Sequence, residues 1–184
     1  KTLAADGIEY FGNVELGKDI SLEEMHELYD AVVLSVGGGL DTPANIPGED
    51  KIGVFGSAAF VSWYNGHPDF TDIKPDLNVT NAVVIGNGNV AIDVARLLMR
   101  SPEELTQFDL PDYARDAINE SSLKNITMYG RRGPVDAKFT NVELRELGHL
   151  EECMPVVDPK QLPDDVGEIE DARELRLKER NLTS

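Results

Sequence analysis

The sequence predicts an α/β fold, a parallel sheet with helices on its flanks, and three observations carry that expectation. Residues 81–85, NAVVI, form a β-branched apolar run of strand character that breaks at Gly86. Over residues 88–100 apolar side chains recur at helical period, so a helix opens directly from the break. NITMYG at 125–130 then reads as a second strand. Two strands joined by a helical crossover of this length pair in parallel, and such units are right-handed.

The other elements follow from local signals. IEYFGNVEL at 8–16 carries strand formers around Gly12. SLEEMHELY at 21–29 has Ser21 three residues ahead of Glu24, the spacing of a capping box, and predicts a short helix. AVVLSVGGG at 31–39 is a continuous apolar run of the kind buried on both faces, ended by glycines, and predicts a further strand. LDTPANIPGED beyond it is turn-forming and suits an inter-domain crossing. SAAFVSWYNG at 57–66 predicts a helix capped by Ser57 and stopped at Asn65-Gly66, and HPDFTDIKPDLN an exposed linker. Residues 112–121 predict a helix with Ala114, Ala117 and Ile118 on one face. TNVELRELGHL at 140–150 predicts another, burying Val142, Leu144 and Leu147. From Glu151 the chain turns acidic and proline-spaced, and GEIEDARELRLKERN predicts a charged helix with too little apolar surface to stand alone.

Composition narrows the function. With 184 residues, 41% of them hydrophobic, the chain can bury one sizeable core, and it has no apolar run of membrane-spanning length. It begins KTLAADGIEYFGN, with neither an initiator Met nor the order of a signal peptide, which leads us to expect a fragment or processed product. A lone Cys153 excludes an internal disulfide framework and any multi-cysteine metal site, and fits a reducing compartment. His26, His67 and His149 share no ligand spacing, so no metal is expected. Seventeen basic residues against 34 acidic ones give a net charge of −17, which repels nucleic acid. A small phosphorylated ligand would need a local basic site to overcome that field.

The break between strand and helix supplies a place for such a ligand. Gly86, Gly88 and Ala91 make G-x-G-x-x-A between a strand and a helix, the Rossmann-like arrangement. The first glycine permits the tight turn, the second lets backbone approach a pyrophosphate, and the third small residue lets helix pack on strand. Helix N–H groups, from Asn89 and Val90 onward, then face the phosphates. The alternative is a tight turn without a ligand. At the end of the next strand, where NAD and FAD binders place an acid, stand Arg131 and Arg132. Planar, permanently charged guanidinium groups match a 2′-phosphate, so charge favours NADPH. The two positions lie 45 residues apart, against the usual ~20, and the segment SPEELTQFDLPDYARDAINESS accounts for the excess. Here the alternative is a pair of surface arginines answering an acidic chain.

The blocks YDAVVLSVGG, IPGED, AAFVSWYNGHPD, VVIGNGNVAIDVARLL, YGRRGPVDAKFT and VELREL, in this order, resemble the NADPH-binding region of the adrenodoxin reductase and ferredoxin–NADP reductase family over residues 12–158. The resemblance implies the NAD(P)-binding domain of a two-dinucleotide-domain flavoprotein, a monomer that takes hydride from NADPH into FAD. Electrons would then pass singly to a ferredoxin- or adrenodoxin-like iron–sulfur protein. By position, Gly86, Asn87, Gly88, Asn89 and Val90 would line the pyrophosphate and ribose. Arg131 and Arg132 would grip the 2′-phosphate, and Glu143 would contact the nicotinamide end. Trp63 and Tyr64 would be packing residues. No catalytic or metal-binding residue is assigned within the chain. Residues 1–38 would be a remnant of the FAD domain, 39–160 the NADPH domain, and 161–184 an acidic tail or the start of a further helix. The family's first flavin-binding glycine motif is missing from the chain, which alone is expected to be inactive. The family implies a mitochondrial location in a eukaryote and a cytoplasmic one otherwise, and admits peripheral membrane association. The alternatives are the reductase half of a glutamate synthase-like flavoprotein and a nucleotide-binding module without redox activity.

Overall fold

A computed structural model of the chain describes residues 5–38 and 40–183 and divides into two compact units, Lys1–Gly39 and Leu40–Ser184. The first unit is built around helix α1, Leu22–Leu28. Its capping box is closed in both directions, Glu24 N–H donating to Ser21 Oγ at 3.1 Å and Ser21 N–H to the Glu24 carboxylate at 2.8 Å. The backbone bond from Ser21, and secondarily its hydroxyl, hold the Glu24 carboxyl below the usual range.

The two strands expected in this unit are not formed. Residues 8–16 run as irregular chain, ending in an isolated bridge between Leu16 and Ile20. Residues 31–38 carry no ladder either, and Val33, Leu34 and Val36 are exposed; Gly39, the last of the three glycines, lies outside the described residues. An apolar, β-branched run records a preference for a pleated, covered environment. It becomes a strand only beside a partner that supplies donors and acceptors, and no strand among the described residues runs alongside.

The second unit follows the predicted strand–helix–strand order. Strands β1 (Asn81–Ile85) and β2 (Asn125–Tyr129) pair in parallel, with Asn81 opposite Asn125 and Ile85 opposite Tyr129. Period-two alternation turns Ala82, Val84, Ile126 and Met128 inward and leaves Val83, Ile85 and Tyr129 exposed. Helix α2 is Ser57–Tyr64; α3, Asn89–Leu98, leaves the glycine turn and packs against both strands. Helices α4 (Pro102–Leu105) and α5 (Asp112–Asn119) follow, and then, after β2, α6 (Asn141–Leu147) and α7 (Ala172–Leu182).

Phe60, Trp63, Leu98, Leu105, Ala114 and Ile118 form the main core. Trp63 packs against Phe60 with ring centroids 5.4 Å apart, its carbonyl accepts from the Tyr113 hydroxyl at 2.8 Å, and Tyr64 lies half-buried beside it. Both aromatics of the WYNG block are therefore packing residues. Residues 101–122 supply Leu105, Ala114 and Ile118, so the segment lengthening the path from glycine turn to arginine pair is a wall of the core.

Three local expectations need correction. Helix α2 is not capped by Ser57: Gly56 is the N-cap, and the Asp41 carboxylate accepts from Ala58 N–H at 2.7 Å and Ala59 N–H at 3.0 Å. Residues 67–78 are not simply an exposed linker. They contain a 3-10 turn, Pro68–Phe70, and pack Phe70, Ile73 and Leu77 against the core, an apolar series too widely spaced to stand out among Pro and Asp. Helix α6 half-buries Leu144 and Leu147 but leaves Val142 64% exposed, and Leu150 just beyond the helix is buried instead.

The Asp41 cap yields a stability prediction. Asp41→Ala leaves two N–H groups of α2 without a side-chain acceptor and should lower unfolding free energy by about 1 to 2 kcal/mol. A thermal or urea melt of the variant reads this directly; a midpoint equal to the wild type would show that water replaces the carboxylate at no cost.

Candidate functional site

The site is assembled where β1 and β2 end. Gly86 N–H donates to the Tyr129 carbonyl at 2.7 Å, carrying the ladder one residue past β1. Gly86 then adopts φ +139°, a conformation that L side chains rarely take, although an added Cβ would meet only the Ala91 methyl, at 3.5 Å. Conformation, more than space, requires glycine there. Gly88 is different: its φ of −100° and ψ of 179° suit any residue, and a Cβ there would meet nothing within 4 Å. The space above it is open. Gly88 also caps α3, whose first turn receives no side-chain cap, so the Val90 and Ala91 N–H groups have no acceptor within the helix.

The glycine turn is stitched to the loop after β2 at three successive residues. Asn87 Nδ2 donates to the Arg132 carbonyl at 3.1 Å, Gly88 forms an isolated parallel bridge with Lys138, and Asn89 Oδ1 accepts from Thr140 N–H at 2.7 Å. Any Cβ at Gly130 would collide with the Asn87 amide, so that pair is a close fit. The side chains of Asn87 and Asn89 thus join loop to loop, while Gly88 between them presents bare backbone.

Glu143 belongs to the same assembly. It sits in the first turn of α6, half-buried, and its carboxylate accepts from the Thr140 hydroxyl at 2.5 Å. Thr140 is the N-cap of α6 and also the residue held by Asn89, so the first turns of α3 and α6 meet through one threonine. Farther along, Arg96 locks the same two helices, donating to Asp93 at 2.7 Å on α3 and to Glu146 at 2.6 Å on α6.

Arg131 and Arg132 are exposed on the turn that follows β2, and neither joins an ion pair among the described residues. The contrast with other cations is informative. Arg96 is paired twice, Arg100 faces Glu104 at 3.7 Å and lies 4.2 Å from the Phe108 ring centroid, and Lys178 bridges Asp136 and Glu174 at 3.1 and 3.0 Å. The hydrogen bonds that the Lys178 ammonium donates to Glu174 and then to Asp136 raise its pKa. In a chain with 34 acids, two adjacent guanidinium groups outside such pairs weigh against the view that they merely answer a surface carboxylate.

A cavity of about 480 Å³ is lined by Tyr64, Asn65, Asp93, Arg96, Arg100 and Phe108 among others, and by none of the residues assigned to cofactor binding from the sequence. Burial, with the Asp93 carboxylate adding to it, pushes the Tyr64 hydroxyl up to about 12. Among the described residues no group of His, Cys, Asp and Glu is placed to hold a metal ion, and no helix is long and apolar enough to cross a membrane.

No family model matches the chain. Among curated proteins it is 44% identical over 162 residues to NADPH-ferredoxin reductase FprA of Mycobacterium tuberculosis, covering 88% of this chain and 36% of that protein. It is 43% identical over 159 residues to the mitochondrial NADPH:adrenodoxin oxidoreductase of Bos taurus, covering 86% and 32%, and 48% identical over 139 residues to that of Arabidopsis thaliana, covering 75% and 29%. The solved structure of Mycobacterium tuberculosis FprA in complex with NADPH superposes with a TM-score of 0.86 at 41% identity, over 99% of this chain and 40% of that one. The α/β architecture is therefore shared with that protein, while the chain spans about a third of the length of its curated relatives.

Proposed function

The chain is a homologue of the NADPH-ferredoxin and NADPH:adrenodoxin reductases, and on that premise we propose that it is the NADPH-binding portion of an FAD-dependent oxidoreductase of their kind. The observation that carries the proposal is the stitched pair of turns: an open glycine backbone at Gly88 fixed, through Asn87, to a turn whose Arg131 and Arg132 join no ion pair among the described residues. The residues fit the cofactor. Gly86 shapes the turn, Gly88 and the first turn of α3 with Val90 receive the pyrophosphate, and the arginine pair takes the 2′-phosphate. Asn87 and Asn89 act through the loop they hold. Glu143, at the start of α6, is assigned to the nicotinamide end.

FAD, when bound in the whole reductase, accepts two electrons as hydride and releases them singly. The residues of this chain bind and orient NADPH for that exchange. The single division of the chain, between Gly39 and Leu40, supports assigning residues 1–38 to the flavin domain and the chain from 39 to the NADPH domain, proposed to run to 160; residues 161–184, proposed as an acidic tail or the start of a further helix, carry α7. The electron acceptor is a ferredoxin- or adrenodoxin-type iron–sulfur protein, which the names of the relatives support. By the same resemblance the whole reductase acts as a monomer, in mitochondria where the source is eukaryotic and in the cytoplasm otherwise.

Calorimetric titration of the chain with NADPH and NADH tests the assignment. NADPH should bind at least about tenfold more tightly, because only it offers a phosphate to the arginines. Equal affinities would remove the 2′-phosphate site.

A further inference from the structure

We infer that Lys138 is a third cation of this site, one that contacts the dinucleotide pyrophosphate; the inference rests on the NADPH-binding proposal and deepens it. Lys138 forms its isolated bridge with Gly88, and residues paired across a bridge send their side chains to the same face. Gly88 has no side chain, and the position its Cβ would take is open for 4 Å around. The lysine side chain therefore leaves the backbone on the side of the open space above the glycine, where the pyrophosphate is assigned.

Burial gives the same direction independently. Ala137 is buried and Lys138 exposed, as strand-like alternation requires. The inward side is fixed by α7: Asn181, itself buried, donates from its amide to the Val135 carbonyl at 3.1 Å and the Ala137 carbonyl at 3.2 Å. On either side, the loop is tied to the glycine turn through Arg132 and Thr140.

The carboxylates on either side of it in sequence have partners of their own. Asp136 pairs with Lys178, and Glu143 accepts from Thr140. Lys138 joins no ion pair among the described residues, so its charge remains available to a ligand. The need for it follows from a net charge of −17, since a dianionic pyrophosphate approaches this chain against the overall field. A flexible ammonium suits a pyrophosphate as a point charge, whereas the planar guanidinium pair suits a terminal phosphate monoester. Arg131 and Arg132 thus choose between dinucleotides, and Lys138 raises affinity for both.

Calorimetry of the chain carrying Lys138→Met, with NADPH and NADH as probes, separates these roles. Both affinities should fall by about tenfold with their ratio unchanged, and Lys138→Arg should restore most of the loss. Unchanged affinities, or a loss confined to NADPH, would overturn the role of Lys138 while leaving the NADPH site standing. A wild-type chain that binds neither dinucleotide would overturn both. Met keeps the unbranched aliphatic stem of an exposed side chain, and a melting curve beside each titration confirms that the variants fold.

Discussion

Replacing Arg131 and Arg132 together with alanine should weaken NADPH binding by about 2 to 5 kcal/mol and leave NADH binding nearly unchanged. Each charge-assisted contact to the 2′-phosphate is worth roughly 1.5 to 3 kcal/mol, and NADH presents no group at that place. The fold gives little reason for collateral damage, because both side chains are exposed and join no ion pair among the described residues. It is the Arg132 carbonyl, not its side chain, that Asn87 holds, so the turn survives truncation of the guanidinium. Calorimetry with both cofactors reads the difference. An equal loss for the two would mean that the arginines act on the field of the whole chain and not on one phosphate.

Gly88→Val should abolish binding of both cofactors, at a cost of about 3 kcal/mol or more, since the side chain occupies the space through which the pyrophosphate reaches backbone N–H groups. Stability should fall by only about 1 kcal/mol, the ordinary penalty of an apolar residue at a helix N-cap. The separation arises because Gly88 has an unstrained φ of −100° and nothing within 4 Å of a built Cβ. The same change at Gly86, with φ +139°, would confound binding with backbone strain. A Gly88→Val chain that melts normally and still binds NADPH would show that the turn holds no dinucleotide.

Local chemistry was legible in the sequence, and distant partnership was not. The Ser21–Glu24 box, the stop at Asn65-Gly66, the glycine turn and both strands of the sheet all form where short-range signals place them, since each is decided within a few residues. Residues 8–16 and 31–38 show the limit: strand composition is local, but a strand exists only with a neighbour. Asp41 escaped notice as the cap of α2 because it lies 17 residues from the N–H group it accepts from. The candidate site divides in the same way. Gly86, Gly88, Arg131 and Arg132 announce themselves through residue type and position. What fixes the two turns to each other, Asn87 on Arg132 and Asn89 on Thr140, has no local signature, and Lys138 gains meaning only from its bridge to Gly88.

Those stitches span 45 and 51 residues, and the strand pairing beside them 44. Each must close a long loop before any contact repays the entropy, which places them among the slow steps of folding. While the chain is being synthesised, the glycine turn and α3 emerge well before their partners. The turn waits for β2 and for Thr140 before Gly88 is framed by its neighbouring loop. Nucleotide affinity should therefore appear abruptly, as a property of a chain extended past residue 140, and not accumulate as its motifs are made.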